Sequence, residues 1–349
     1  GGSTAVMRVL WVLLLDSFRM LRARRLFWVV LVLSGLIGLV YASIGFNEGG
    51  VSALFGLLAF ESELFRMGTA EAKELYLLLF TNVIIPYWLG FCAIVLGLIS
   101  CASIFPEFIQ KGSIDFALSK PPSRVTLFLG KYLGSLFFVL MQVLPFSVIV
   151  FLSLGLRFGD WNMSLFWAVP LVVLSFSFVY AVHVLIAVWS GSMILGLFAA
   201  LLVWGGSVLV EWAEDITYEI AYSLPQLGYE PDWKEGDHEE VEPRESSEDF
   251  TVTLHRVLES TRLALPKTRA VGAQMRSLIV VDENSGGLAG KSLLALMLRD
   301  PIDEIPERQS EIVKAADQRH PVWKDLGSSF LYELAVAGLA LVIFVRRDF

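Results

Sequence analysis

LFWAVPLVVLSFSFVYAVHVLIAVWSGSMILGLFAALLVWGGSVL, residues 165–209, is the stretch that decides what kind of protein this is. A helix rises about 1.5 Å per residue, so roughly 20 apolar residues cross a hydrocarbon core about 30 Å thick. This run is more than twice that length. Its only break is Trp189-Ser190-Gly191-Ser192, so it reads as two spans, 165–189 and 191–209, joined by a tight turn.

Four further apolar blocks lie outward from it, at 26–46, 76–105, 128–156 and 328–345, making six spans. Pro86, Pro145 and Pro170 fall inside spans, which membrane helices tolerate because neighbouring groups satisfy the freed carbonyls. The whole chain of 349 residues is 55% hydrophobic, with a mean hydropathy of +0.64. A soluble globular chain is about 45–50% apolar. The fold class expected is an all-α polytopic membrane protein, with an N-terminal interfacial helix and a small α or α/β insertion before the last span. Residues 1–6 (GGSTAV) read as an appended scar ahead of a native Met7. Met7 leads into a basic amphipathic stretch and not into a short apolar core with a cleavage site, so no signal peptide is expected. In residues 7–25, Val9, Leu10, Leu13, Leu14, Phe18 and Leu21 cluster while arginines gather at the far end, as in a helix lying in the headgroup plane. A plain extension of the first span is the alternative.

Lys and Arg bias in the connections sets orientation. Arg8, Arg19, Arg22, Arg24 and Arg25 precede the first span, Lys111, Lys120 and Arg124 lie in the second connection, and Arg346-Arg347-Asp348-Phe349 closes the chain. Six spans put these on one side, expected to be the cytoplasm of a bacterial cell, with both termini there. The opposite side receives residues 211–327, with 24 Asp and Glu against 13 Lys and Arg, a net charge of −11, while the rest of the chain is +3. Trp28, Trp161, Trp167, Trp189 and Trp212 stand near span ends, as in an interfacial aromatic belt. Cys92 and Cys101 are the only cysteines and read as packing residues; four histidines without zinc spacing argue against a metal site. Nothing points to nucleic acid.

The most informative connection is FPEFIQKGSIDFALSKPPSRVTLFLGK, residues 105–131. Glu107 and Lys111 are four apart and would face each other on a helix. Ile114, Phe116, Ala117 and Leu118 form a small apolar ridge, and Ser119-Lys120-Pro121-Pro122 stops the helix, since proline lacks the amide proton. A short helix held this way between two spans can transmit a push from a soluble partner. An ordinary basic loop is the bland alternative.

Here the sequence resembles the ABC-2-type permease family, the membrane subunits of ABC transporters. Glu107, Gly112-Ser113-Ile114-Asp115, Leu118-Ser119-Lys120-Pro121, Arg124 and Gly130-Lys131 occur in that family's order, and Arg346-Arg347-Asp348-Phe349 is similar to its C-terminal ending. The likeness covers 7–209 and 328–349. It implies that 107–119 is a coupling helix, with Glu107, Lys111, Gly112, Ser113, Ile114, Asp115, Leu118, Ser119, Lys120, Pro121 and Arg124 meeting an ATP-binding subunit. It also implies two copies of that subunit, a second permease copy or a related one, a lipid surround, and ATP and Mg held by the partner. This chain itself would be non-catalytic and carry no cofactor.

A decoy lies at 278–298, LIVVDENSGGLAGKSLLALML, which has the outline of a P-loop. The glycine required five residues before Gly290 is replaced by Ser285, so a turn followed by an amphipathic helix is the favoured reading. The 211–327 segment is larger than the outer helices usual in the family. Residues 229–249 read as a solvated flexible linker, 250–265 as a helix, 277–282 as a short strand and 291–299 as a helix; a docking surface for an extracytoplasmic partner would explain the segment. Inside the spans, Gln142, His183 and Glu333 are candidates for a translocation path. For Gln142 and His183 a satisfied interhelix hydrogen bond is favoured, and Glu333 stands evenly between a path and the outer interface. Function reads as substrate export across, or extraction from, the membrane. The alternative is a non-transporting subunit that passes ATP-driven motion to an outside partner through 211–327. No Ser/His or paired-Asp arrangement at span depth suggests an intramembrane enzyme.

Overall fold

Long apolar runs fold as helices in lipid because every backbone polar group must bond within the segment, and helices dominate here (84% of the described chain). The computed structural model describes residues 25–62, 65–109, 123–218, 245–279 and 322–347. The interfacial helix expected at 7–25 falls almost entirely outside them. Among the described residues six helices are long and apolar enough to cross a membrane, as the hydropathy blocks predict.

The first span is α1 (Arg25–Ala42). A three-stranded antiparallel sheet follows, β1 (Gly45–Asn47), β2 (Gly50–Ala53) and β3 (Leu58–Glu61), with Phe46 opposite Val51 and Val51 opposite Phe60. The expected fold had no sheet at this position; strands of three or four residues are too short to show a reliable alternation in sequence. The second span starts as α2 (Ala70–Leu79), with Thr69 capping it by accepting from the Ala72 N–H. It unwinds into a π-helical stretch, Phe80–Cys92, which holds Pro86, and continues as α3 (Ala93–Cys101) and α4 (Ile104–Ile109). The wide winding accommodates the bond that proline cannot donate. The third span, α5 (Arg124–Phe158), runs unbroken through Pro145.

The block at 165–209 divides where the sequence places the break. A 3₁₀ turn, Met163–Trp167, leads into α6 (Ala168–Ser190), and α7 runs Met193–Tyr218. Gly191 sits at φ +70, and its N–H closes the helix on the Ala187 carbonyl at 2.8 Å. That left-handed cap is where glycine is favoured. Helix α7 continues past the expected end at 209. The inserted segment contributes α8 (Glu245–Leu263) and α9 (Thr268–Ile279), and the last span is α10 (Val322–Arg346). The expected strand at 277–282 is not formed where it is described, since 277–279 close α9; likewise residues 245–249, read as flexible linker, open α8.

Helix α6 is the axle of the bundle. It packs against α5, α7 and α10, and 78% of its span is buried, against 28% for α1 and 22% for α7 and α10. The apolar outer faces of α1, α7 and α10 are therefore left to lipid or to another membrane chain. One end of the bundle carries Ile109, Arg124, Ser190, Met193 and Arg347 and is called here the tail end. The other, carrying the sheet, α8 and α9, is the loop end.

Candidate functional site

The residues expected to meet an ATP-binding subunit divide into a described root and a connection outside the described residues. Lys111, Gly112, Ser113, Ile114, Asp115, Leu118, Ser119, Lys120 and Pro121 belong to the latter. Glu107 lies on α4 with its side chain exposed at the tail end, and Arg124 opens α5.

The root is clamped on both sides. Phe105 and Phe108 on α4 are buried. Phe105 packs on Phe128 of α5 with ring centres 5.1 Å apart, and Phe108 stacks on Phe344 of α10 at 6.1 Å. Phe128 also meets Phe344 at 5.7 Å. Lys131, from the Gly-Lys pair, is 5% exposed with its ammonium 5.4 Å from the Phe108 ring. A cation over an aromatic face is held by the ring quadrupole. Arg124 Nη1 donates to the carbonyls of Val345 at 2.8 Å and Arg347 at 2.9 Å. These are among the last carbonyls of α10, which have no acceptor role within the helix. Arg347 Nη1 in turn donates to the Val188 carbonyl near the end of α6. The second, third, fourth and last spans are thus joined where the connection departs. Arg347 was visible in sequence only as part of an ending; its role as a link to α6 was not.

The three membrane candidates are separated by role. Glu333, the twelfth residue of α10, is 8% exposed. It accepts from Tyr132 Oη at 2.7 Å and from Ser177 Oγ at 3.0 Å. It is therefore held inside the bundle and not at the outer interface. His183 is fully buried; its Nε2 lies 3.0 Å from the Ala102 carbonyl, an interhelix contact, while its Nδ1 is buried without a hydrogen-bond partner. Tyr180 connects the two regions, since its hydroxyl bonds Ser135 at 2.7 Å, and its ring stacks on His183 at 5.6 Å and lies 5.5 Å from Tyr132. Gln142 departs from expectation. Its backbone carbonyl accepts from Ser34, but both side-chain polar atoms are buried without a hydrogen-bond partner.

A second polar cluster, which the sequence did not single out, lies at the loop end. Arg262 of α8 donates to Asp325 of α10 at 2.6 Å and stands 4.0 Å from Glu214 of α7. His255 Nδ1 lies 3.6 Å from Glu214. Lys267, between α8 and α9, donates from Nζ to Ser328 Oγ at 2.6 Å and from its backbone to Ser329 at 3.0 Å. Trp204 of α7 donates to Thr268 at 2.9 Å. Glu211 joins them with one buried carboxylate oxygen unpartnered. The available signal was two acids one helical turn apart at the end of an apolar run, Glu211 and Glu214. Among the described residues no group of three or more acids, histidines or cysteines is placed to hold a metal ion.

A family model described as ABC-2 family transporter protein matches residues 11–349, so its bounds enclose the 211–327 segment as well as the spans. No curated protein and no solved structure matches the chain.

Proposed function

This chain belongs to the ABC-2 transporter family, and from that premise we propose that it is the permease subunit whose motion is driven by ATP hydrolysis on a separate chain. Two ATP-binding subunits, loaded with ATP and Mg, would serve two permease copies. Both ends of this chain would face the cytoplasm of a bacterial cell, and the substrate would be exported across or extracted from the membrane.

The observation that carries the reading is the clamped root at the tail end. A push on residues 110–122 would enter α4 through Phe108 and α5 through Arg124, and both are tied to the end of α10. Packed interiors move between discrete arrangements rather than deforming smoothly, so a joint that binds four spans is suited to rocking them together. Replacing residues 112–118 with a neutral linker tests it. The expected result is loss of ATPase co-purification and of transport-coupled ATP turnover; retention of both sinks the reading.

A second reading is favoured by the charge cluster at the loop end. Arg262–Asp325 and Lys267–Ser328 fasten α8 and α9 to α10, so a rocking span would carry the inserted segment with it. The protein would then pass motion to an extracytoplasmic partner. Substrate-stimulated ATPase activity supports the first reading. An essential 211–327 segment with no substrate stimulation supports the second.

A further inference from the structure

At the loop end, a cleft of 1110 Å³ opens between the first and third spans. Leu39, Ile149, Leu152 and Leu156 form its apolar side, and Lys73 and Arg157 its basic side. Leu39 is 53% exposed and Leu156 78%, so the apolar side faces the lipid. Trp161 and Trp167, half-exposed at this same end, place the headgroup region at this height.

Arg157 is anchored but not neutralised. Its Nη2 donates to the Ala42 carbonyl at 2.7 Å, at the end of α1. Its guanidinium lies 5.7 Å from the centre of the Tyr76 ring, and Tyr76 is itself fixed by a 2.7 Å bond to Ser153. Nη1 is buried without a hydrogen-bond partner, 3.9 Å from where a Cβ on Gly45 would stand. The nearest acid along the chain, Asp160, is engaged by Lys73 at 2.9 Å. The N-terminal turn of α2 also opens onto the cleft through Gly68 and Thr69, and such ends favour anions. A buried guanidinium donor without an acceptor is costly, and at the edge of a membrane the abundant acceptor is the lipid phosphate.

We propose that this cleft binds the phosphodiester headgroup of an anionic membrane phospholipid. Arg157 Nη1 donates to a phosphate oxygen, and one acyl chain lies along Leu39, Leu152 and Leu156. The geometry suits a planar guanidinium, whose fixed donors match phosphate.

The test is native mass spectrometry of the full chain in detergent, titrated with phosphatidylglycerol, with diacylglycerol of the same acyl chains, and with inorganic phosphate. Wild type should retain one phosphatidylglycerol and not the diacylglycerol. Arg157→Gln should weaken retention roughly 10- to 100-fold, the worth of a hydrogen bond to a charged group, and Arg157→Lys should weaken it less. Leu156→Asp leaves the arginine in place and puts a negative charge at an exposed rim, so its similar loss would answer for any folding defect of Arg157→Gln. Unchanged phosphatidylglycerol binding by both Arg157→Gln and Leu156→Asp overturns the proposal. Equal retention of diacylglycerol overturns it too. Displacement of the lipid by equimolar inorganic phosphate would assign the site to a free anion and overturn the lipid source.

Discussion

A buried carboxylate needs a donor for each oxygen, and Glu333 has one from Tyr132 and one from Ser177. At the loop end Arg262 supplies a charged donor to Asp325 Oδ2, while one buried oxygen of Glu211 goes without a donor. Removing one member of a buried ion pair strands the other, at about 3–5 kcal/mol. Arg262→Ala is therefore expected to lower the thermal unfolding midpoint sharply in detergent, and the Arg262→Ala, Asp325→Ala double variant to lose less than the sum of the two single changes. Additive losses would refute the coupling. Close backbone approach makes a different demand at Gly196 on α7. A Cβ there would stand 2.9 Å from the His183 carbonyl and 3.0 Å from its Nδ1. Gly196→Val should cost about 1–3 kcal/mol by overpacking, read as a lower unfolding midpoint, while the same change at Gly205, which meets nothing within 4 Å, should cost nothing in packing and gain slightly, because valine forms helix better than glycine. Equal effects at both sites would count against the contact. His183 was legible as a buried hydrogen-bonding group, since a lone histidine in an apolar run has few other roles. Gln142 looked the same in sequence and is not, because partners come from neighbouring helices that periodicity does not name.

Elements were legible in proportion to their length. Apolar blocks announced all six spans, but their ends were set by packing. Helix α7 runs on past 209, where Glu211 and Glu214 are buried and Glu214 meets Arg262 of α8, and α10 is already helical ahead of 328, where Asp325 pairs with Arg262. A short apolar run such as 277–279 suits strand or helix, and its attachment to α9 settled it as helix. At the tail end, Arg124 joins the start of α5 to the end of α10. Arg124→Gln should leave the fold intact, since the Phe105–Phe128 and Phe108–Phe344 contacts remain, yet reduce transport per ATP hydrolysed by the reconstituted complex. Unchanged coupling would show that the arginine only caps α10. At the loop end, burial lowers the Lys267 ammonium from its ordinary 10.5, aided by Arg262 and opposed by Asp325 and Glu211. Between the lowered folded value and 10.5 the unfolded chain binds more protons at this position, so its contribution to stability rises with pH. Lys267→Met should flatten that alkaline rise, measured as unfolding midpoint against pH; an identical slope in both proteins would contradict it.

At the scale of the whole molecule, charge and shape point the same way. The segment 211–327, net −11 in sequence, leaves α7 and enters α10 at the loop end, while the arginines that tie α5, α6 and α10 together stand at the tail end. The positive-inside bias would then put the tail end in the cytoplasm, where an ATP-binding subunit would reach the connection at 110–122. Single cysteines decide this. Cys101 is buried and Cys92 half-buried, so Cys92→Ser gives a background of low reactivity. Leu263→Cys places a thiol at a position 61% exposed on the last turn of α8, and Trp189→Cys one at a position 66% exposed on the last turn of α6. In intact cells a membrane-impermeant maleimide should label the first and spare the second, and permeabilisation should expose the second. Labelling of Trp189→Cys alone before permeabilisation would invert the molecule, removing the coupling connection from the compartment that holds ATP and with it the proposed drive.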